Sequence, residues 1–129
     1  PEKQDSRPVF EHDVLGDWRR VQELAGVSGL QLPAIFVLKE EDEYRAYFLP
    51  RTYAIYFSPR TLKSSPDEIR MTLLHEFAHA VLTFSTNVTE NNEQHCLMAE
   101  RGFFSAFGDW IDNPTFGEMY TWYYLKACH

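Results

Sequence analysis

The sequence predicts a single α+β domain, and three observations carry that reading. Three short runs rich in aromatic and β-branched residues, Ala34–Leu38, Tyr44–Leu49 and Thr52–Phe57, lie close together, separated by polar or proline-containing turns. A segment of helical spacing precedes them. Apolar segments of helical length follow, the first of them apolar on almost every face. The order α-β-β-β-α-α-α sets a small sheet against helices, and the tight connections predict that the sheet is a short antiparallel meander.

At 129 residues, 44% apolar and 16% aromatic, the chain is long enough to bury a real core. Residues 1–12 are polar and are expected to form a flexible N-terminal segment, with 13–129 as the domain. From Asp13 to Ala25, the positions Val14, Leu15, Trp18, Val21 and Leu24 follow helical spacing, and Gly26 with Val27-Ser28-Gly29 stops the helix. The acidic run Glu40-Glu41-Asp42-Glu43 is read as a solvated hairpin tip in preference to an oxygen cluster for calcium.

Ser65-Pro66-Asp67-Glu68 has the chemistry of a helix start. Ser65 is the N-cap, Pro66 the first helical residue, and Glu68 closes a capping box. From Ile69 to Phe84 the helix is almost apolar all round, and its polar exceptions after the first turn, Thr72, His75, Glu76, His79 and Thr83, form one stripe. A further helix is expected from about 89 to 107, ended by Gly108. A last one is expected over about 115–126, after Asn113-Pro114.

Composition excludes several functions. A net charge of −7 and a pI near 5.1, with no cluster of Lys and Arg, argue against a chain that grips nucleic acid by itself. No apolar run approaches 18 residues, so no membrane span or signal segment is expected in this chain, and a soluble protein is. Its first residue is Pro1, as in a processed or trimmed fragment. Cys96 and Cys128 build neither a disulfide framework nor a structural zinc pattern.

The chemistry lies in His75-Glu76-Phe77-Ala78-His79, the pattern H-E-x-x-H within a helix. Two histidines four apart stand one turn apart on one face, so both imidazoles can reach one metal ion. Glu76 sits about 100° further round and reaches a water beside that metal. Zinc brings the pKa of such a water near 7, and a carboxylate can take its proton as it attacks a carbonyl. A buried helix with one polar stripe needs something polar to face, because unpaired buried polar groups are costly.

A catalytic zinc commonly has three protein ligands and an open position. The candidates for the third are Glu93, His95 and Glu100, all in the helix expected after the 85–89 loop. With the two helices as an antiparallel hairpin, the turn-to-site distance lands near residue 96. His95 shares a stripe with the small residues Ala99, Gly102 and Ala106, which would let the helices approach closely. His95 is favoured, Glu93 is the alternative, and Glu100 stands behind them. Tyr120, Tyr123 and Tyr124 are read as core, and His12 and His129 as solvated terminal residues.

These residues carry a resemblance to the zincin metallopeptidases. Ile55-Tyr56-Phe57-Ser58-Pro59, followed by Leu73-Leu74-His75-Glu76-Phe77-Ala78-His79-Ala80, resembles the SprT-like family over roughly residues 44–104. That resemblance implies a third-ligand histidine some 13–16 residues after the second, and His95 lies 16 after His79. Cys96 stands where the family favours glycine, and neither a C-terminal zinc ribbon nor a basic surface is present, so a DNA-repair role is not inherited. Glu93-Gln94-His95-Cys96-Leu97-Met98-Ala99-Glu100 also loosely resembles the phrase with which small gluzincins and ImmA/IrrE-like peptidases supply a glutamate ligand.

Either resemblance implies a zinc-dependent metallopeptidase with one Zn²⁺ per chain, held by His75, His79 and the third ligand. Glu76 would be the general base toward a metal-activated water, and a protein or peptide the substrate, bound as an added strand along Tyr44–Leu49 or Thr52–Phe57. Two other classes stay open. One is a non-catalytic zincin-like module that binds or regulates. The other is a different zinc hydrolase such as peptide deformylase, whose cysteine ligand precedes its motif; both cysteines here follow it.

Overall fold

Both α-helices among the described residues begin where a side chain closes the first turn. The computed structural model describes residues 4–6, 8 and 10–86. Its elements are β1 (Gln4–Ser6), α1 (Val14–Ala25), β2 (Ala34–Leu38), β3 (Ala46–Leu49), β4 (Ala54–Phe57), a 3₁₀ turn (Pro59–Lys63) and α2 (Pro66–Thr86). The helices expected over 89–107 and 115–126 lie outside the described residues.

At α1 the Asp13 carboxylate accepts from the Gly16 N–H at 3.0 Å. A Cβ on Gly16 would come within 2.4 Å of Asp13 Oδ2, so any other residue there would make the capping carboxylate shift. Gly26 ends the helix at φ 72°, in the left-handed region that glycine enters freely. At α2 the capping box forms as the sequence predicts. The Glu68 N–H donates to Ser65 Oγ at 3.2 Å, and the Ser65 N–H donates to Glu68 Oε2 at 3.4 Å. Replacing Ser65 by alanine is expected to lower stability by about 1 kcal/mol, read from the urea midpoint at constant slope.

The α+β class is as expected, but the sheet is mixed, with strand order β1-β2-β4-β3. β3 and β4 form the expected antiparallel hairpin, with Ala46 opposite Phe57 and Leu49 opposite Ala54. β2 does not pair with β3; it runs parallel to β4, Ala34 beside Ala54 and Val37 beside Phe57. The antiparallel meander is therefore corrected. All four residues of β4 are buried, and an unbroken apolar Ala54-Ile55-Tyr56-Phe57 hides both its faces only from a central position.

The acidic run is consequently a crossover past β4 and no hairpin tip. Arg60 holds it, donating from its guanidinium to the carbonyls of Asp42 and Glu43 and from its backbone N–H to Glu41 Oε1. At the other edge β1 pairs antiparallel with β2, Gln4 opposite Leu38 and Ser6 opposite Val37. Part of the 1–12 segment, expected as a flexible leader, is thus extended and paired.

One face of the sheet carries Ala46, Phe48, Ile55 and Phe57 into a core with Trp18 and Val21 of α1 and Met71, Leu74, Phe77 and Val81 of α2. Tyr56, Ala54 and Leu38 form a second cluster, flanked by Phe36 and Tyr47. Two contacts fix α1 on α2. Trp18 and Phe77 meet edge to face with ring centroids 5.0 Å apart, and Arg70 grips Asp17 with two hydrogen bonds of 2.9 Å.

Candidate active site

The entry to α2 is set by the Ser58-Pro59 phrase. Pro59 cannot donate to a ladder and opens the 3₁₀ turn, with Ser58 extended before it. The Ser58 hydroxyl donates to the Tyr44 carbonyl, and Thr61 Oγ1 donates to the Arg45 carbonyl at 2.7 Å. Both bonds tie the turn to the start of β3, so strand β4, turn and helix form one braced unit.

Along α2, the described side chains from Met71 to Thr83 are all buried, including the whole polar stripe. Thr72 satisfies its hydroxyl within the helix by donating to the Glu68 carbonyl at 2.9 Å. His75, Glu76 and His79 are 5%, 6% and 6% exposed. Burial pushes the His75 imidazole down to about 3, so the ring is neutral at pH 7, the form that ligates a metal.

The two imidazoles converge. His75 Nε2 and His79 Nε2 lie 3.0 Å apart, with the ring planes at 82° to each other. Two nitrogens at about 2.05 Å from a tetrahedral zinc would stand about 3.3 Å apart, so the pair has nearly the spacing that shared coordination requires. The same distance also suits one Nε2–H donating to the other Nε2. Two imidazole nitrogens at this spacing are of the type and separation that suit a divalent cation. Glu76, next in sequence, brings its carboxylate to the same buried stretch.

Sequence reasoning placed His75, Glu76 and His79 on one buried helix, and there they stand. Among the described residues no group of three His, Cys, Asp or Glu side chains is placed to hold a metal ion. Glu93, His95 and Glu100 lie outside the described residues, as do Cys96, Cys128, His129 and the C-terminal tyrosines. His12, expected to be solvated, is packed instead: its Nε2 lies 3.5 Å from the buried Asp17 carboxylate. Asp17 and Arg70 were not foreseen as partners, being 53 residues apart with no local pattern to join them.

No helix among the described residues is long and apolar enough to cross a membrane. A family model described as the SprT-like family matches residues 4–99. That match reaches from β1 through the sheet and the motif helix, beginning well before residue 44, where the resemblance began. Comparison with curated proteins and with solved structures finds no match.

Proposed function

This chain belongs to the SprT-like family, a zincin-like metallopeptidase family, and we propose that it hydrolyses peptide bonds with one zinc ion per chain. The observation that carries the proposal is the buried His75–His79 pair, Nε2 to Nε2 at 3.0 Å, with a glutamate beside it.

His75 and His79 would hold the metal, with His95 as the third ligand and Glu93 the alternative. Membership of the SprT-like family, whose pattern places a histidine after the motif helix, supports His95 as the reading. A bound zinc ion would supply Lewis acidity, polarising the scissile carbonyl and lowering the pKa of a water. Glu76 takes the proton of the attacking water and delivers it to the departing amine. Burial keeps the His75 imidazole neutral, and the buried surroundings limit bulk water around the carboxylate.

Strand order narrows where substrate would lie. β4 is paired on both sides, to β2 and β3, and offers no free edge. Of the two outer strands among the described residues, β1 and β3, it is β3 against which α2 packs. An extended protein segment would add beside Ala46–Leu49 through main-chain hydrogen bonds.

Zinc per chain, by elemental mass spectrometry on protein purified without chelator or metal resin, tests the proposal. Wild type is expected to carry about one zinc per chain. His95→Ala is expected to lose it while Glu93→Ala keeps it. The reverse pattern would make Glu93 the ligand. Absence of zinc in wild type after reconstitution would overturn the peptidase reading.

A further inference from the structure

The main-chain hydrogen bonds of the sheet decide which groups of β3 face its outer edge. The Ser58 N–H donates to the Arg45 carbonyl at 3.0 Å, one step beyond the pair Ala46 and Phe57. Bonded pairs recur at every second residue of an antiparallel ladder. Arg45, Tyr47 and Leu49 therefore turn their N–H and C=O groups inward to β4, while Ala46 and Phe48 turn theirs outward. The other side of β4 agrees. The Ala34 N–H donates to the Tyr53 carbonyl, so Tyr53, Ile55 and Phe57 serve β2 and leave Ala54 and Tyr56 for β3.

Side chains follow the same alternation. Ala46 and Phe48 enter the core shared with α1 and α2, whereas Tyr47 and Leu49 lie on the opposite face with Tyr56 and Phe36. There the rings form a row across the sheet. Phe36 of β2 lies beside Tyr56 of β4 in the register, and Tyr56 lies beside Tyr47 of β3. Ring centroids are 5.8 Å apart at the first step, with planes at 24°, and 5.4 Å at the second, with planes at 31°. Among the described residues Tyr47 meets no other ring and is half-buried, so the row stops at the edge strand with its last ring partly open.

We propose that Tyr47 selects an aromatic side chain in the substrate: the segment that adds along β3 places a Phe, Tyr or Trp opposite Tyr47, as the next ring of the row. This rests on the reading of β3 as the edge that substrate joins. An antiparallel strand bonded to the outward groups of Ala46 and Phe48 sets the residue between those bonds opposite Tyr47, with its side chain on the same face. That pair is of the non-hydrogen-bonded kind, in which side chains come closest, and aromatic pairs across strands are stabilising. Strands lie about 4.8 Å apart, so one more ring continues the spacing of the row. Leu49, two residues along on the same face, gives the incoming ring a second apolar neighbour.

Fluorescence anisotropy with two labelled ten-residue peptides tests this on the full chain. One peptide carries a single central Phe in a Ser and Thr background, and the other carries Ala in its place. Wild type is expected to bind the Phe peptide about three- to tenfold tighter, the worth of one cross-strand aromatic pair. Tyr47→Ala is expected to bring that ratio to about one while leaving the affinity for the Ala peptide within about twofold of wild type. Tyr47→Phe is expected to keep the ratio. Equal affinity for the two peptides in wild type would overturn the proposal, and so would a preference that survives Tyr47→Ala. Equal weakening of both peptides in Tyr47→Ala would also overturn it, making Tyr47 a support of the edge and no selector. Binding of neither peptide would remove β3 as the edge that substrate joins, and the role of Tyr47 with it. Turnover does not enter this measurement, so a chain that selects Phe and hydrolyses nothing would uphold the selector and overturn the peptidase reading alone.

Discussion

Glu76→Gln is expected to leave about one zinc per chain in place while lowering peptide hydrolysis by about 10²- to 10⁴-fold, the usual worth of a general base. The substitution keeps the size and shape of the side chain and removes its charge and its capacity to accept a proton. His75 and His79, whose Nε2 atoms set the spacing at 3.0 Å, are untouched. Their positions follow from their spacing on the helix. Turnover on an unfolded protein substrate, measured beside zinc content and thermal midpoint, separates the possible causes of a loss. A fall in turnover with zinc and midpoint unchanged assigns the proton transfer to Glu76. A fall accompanied by lost zinc would make the glutamate a structural support of the pair. Unchanged turnover would sink the general-base assignment.

How much of this was legible in the sequence follows from how local each signal is. The Ser65–Glu68 capping box and the His75–His79 pair lie within one or two helical turns, so residue type and spacing determine them. Strand extents were nearly as local: β2 is Ala34–Leu38 as expected, and β3 and β4 lose two residues each at their starts. Strand order was not local. The short connection from β2 to β3 suggested a hairpin, but the apolar run Ala54–Phe57 wins the central position because both of its faces need cover. The sign of that outcome was present in the unbroken apolar run, which alternation would have excluded from the middle of a sheet.

The same contrast explains Asp17 and His12. A buried carboxylate is tolerable only when paired, and its partner, Arg70, belongs to a different helix. Nothing within a turn of Asp17 announces it. His12 follows a polar stretch and precedes a helix cap, which reads as solvent exposure until the Asp17–Arg70 pair is known.

Phe77→Ala is expected to cost about 3–5 kcal/mol, a large share of the roughly 5–15 kcal/mol that holds a domain of this kind together. Phe77 is fully buried and sits in the variable part of the H-E-x-x-H pattern, two residues from each histidine and about 200° round the helix from both. It packs edge to face on Trp18 with centroids 5.0 Å apart, so it faces α1 while the histidines face away. This contact fixes the rotation of α2 about its own axis. Losing it should reduce zinc affinity as well as stability, although Phe77 contacts no metal. Urea unfolding in the presence of chelator isolates the packing cost, because bound metal would otherwise add stability by mass action. Phe77→Leu keeps most of the volume and is expected to cost about 1–2 kcal/mol with zinc content near wild type. A Phe77→Ala cost below about 1 kcal/mol, far under the usual range for a buried phenylalanine, would mean that α2 is oriented by contacts other than Trp18. The Asp17–Arg70 pair and the packing of Val21 in the shared core would then carry the tie between the helices, and the burial of the histidine pair would depend on them.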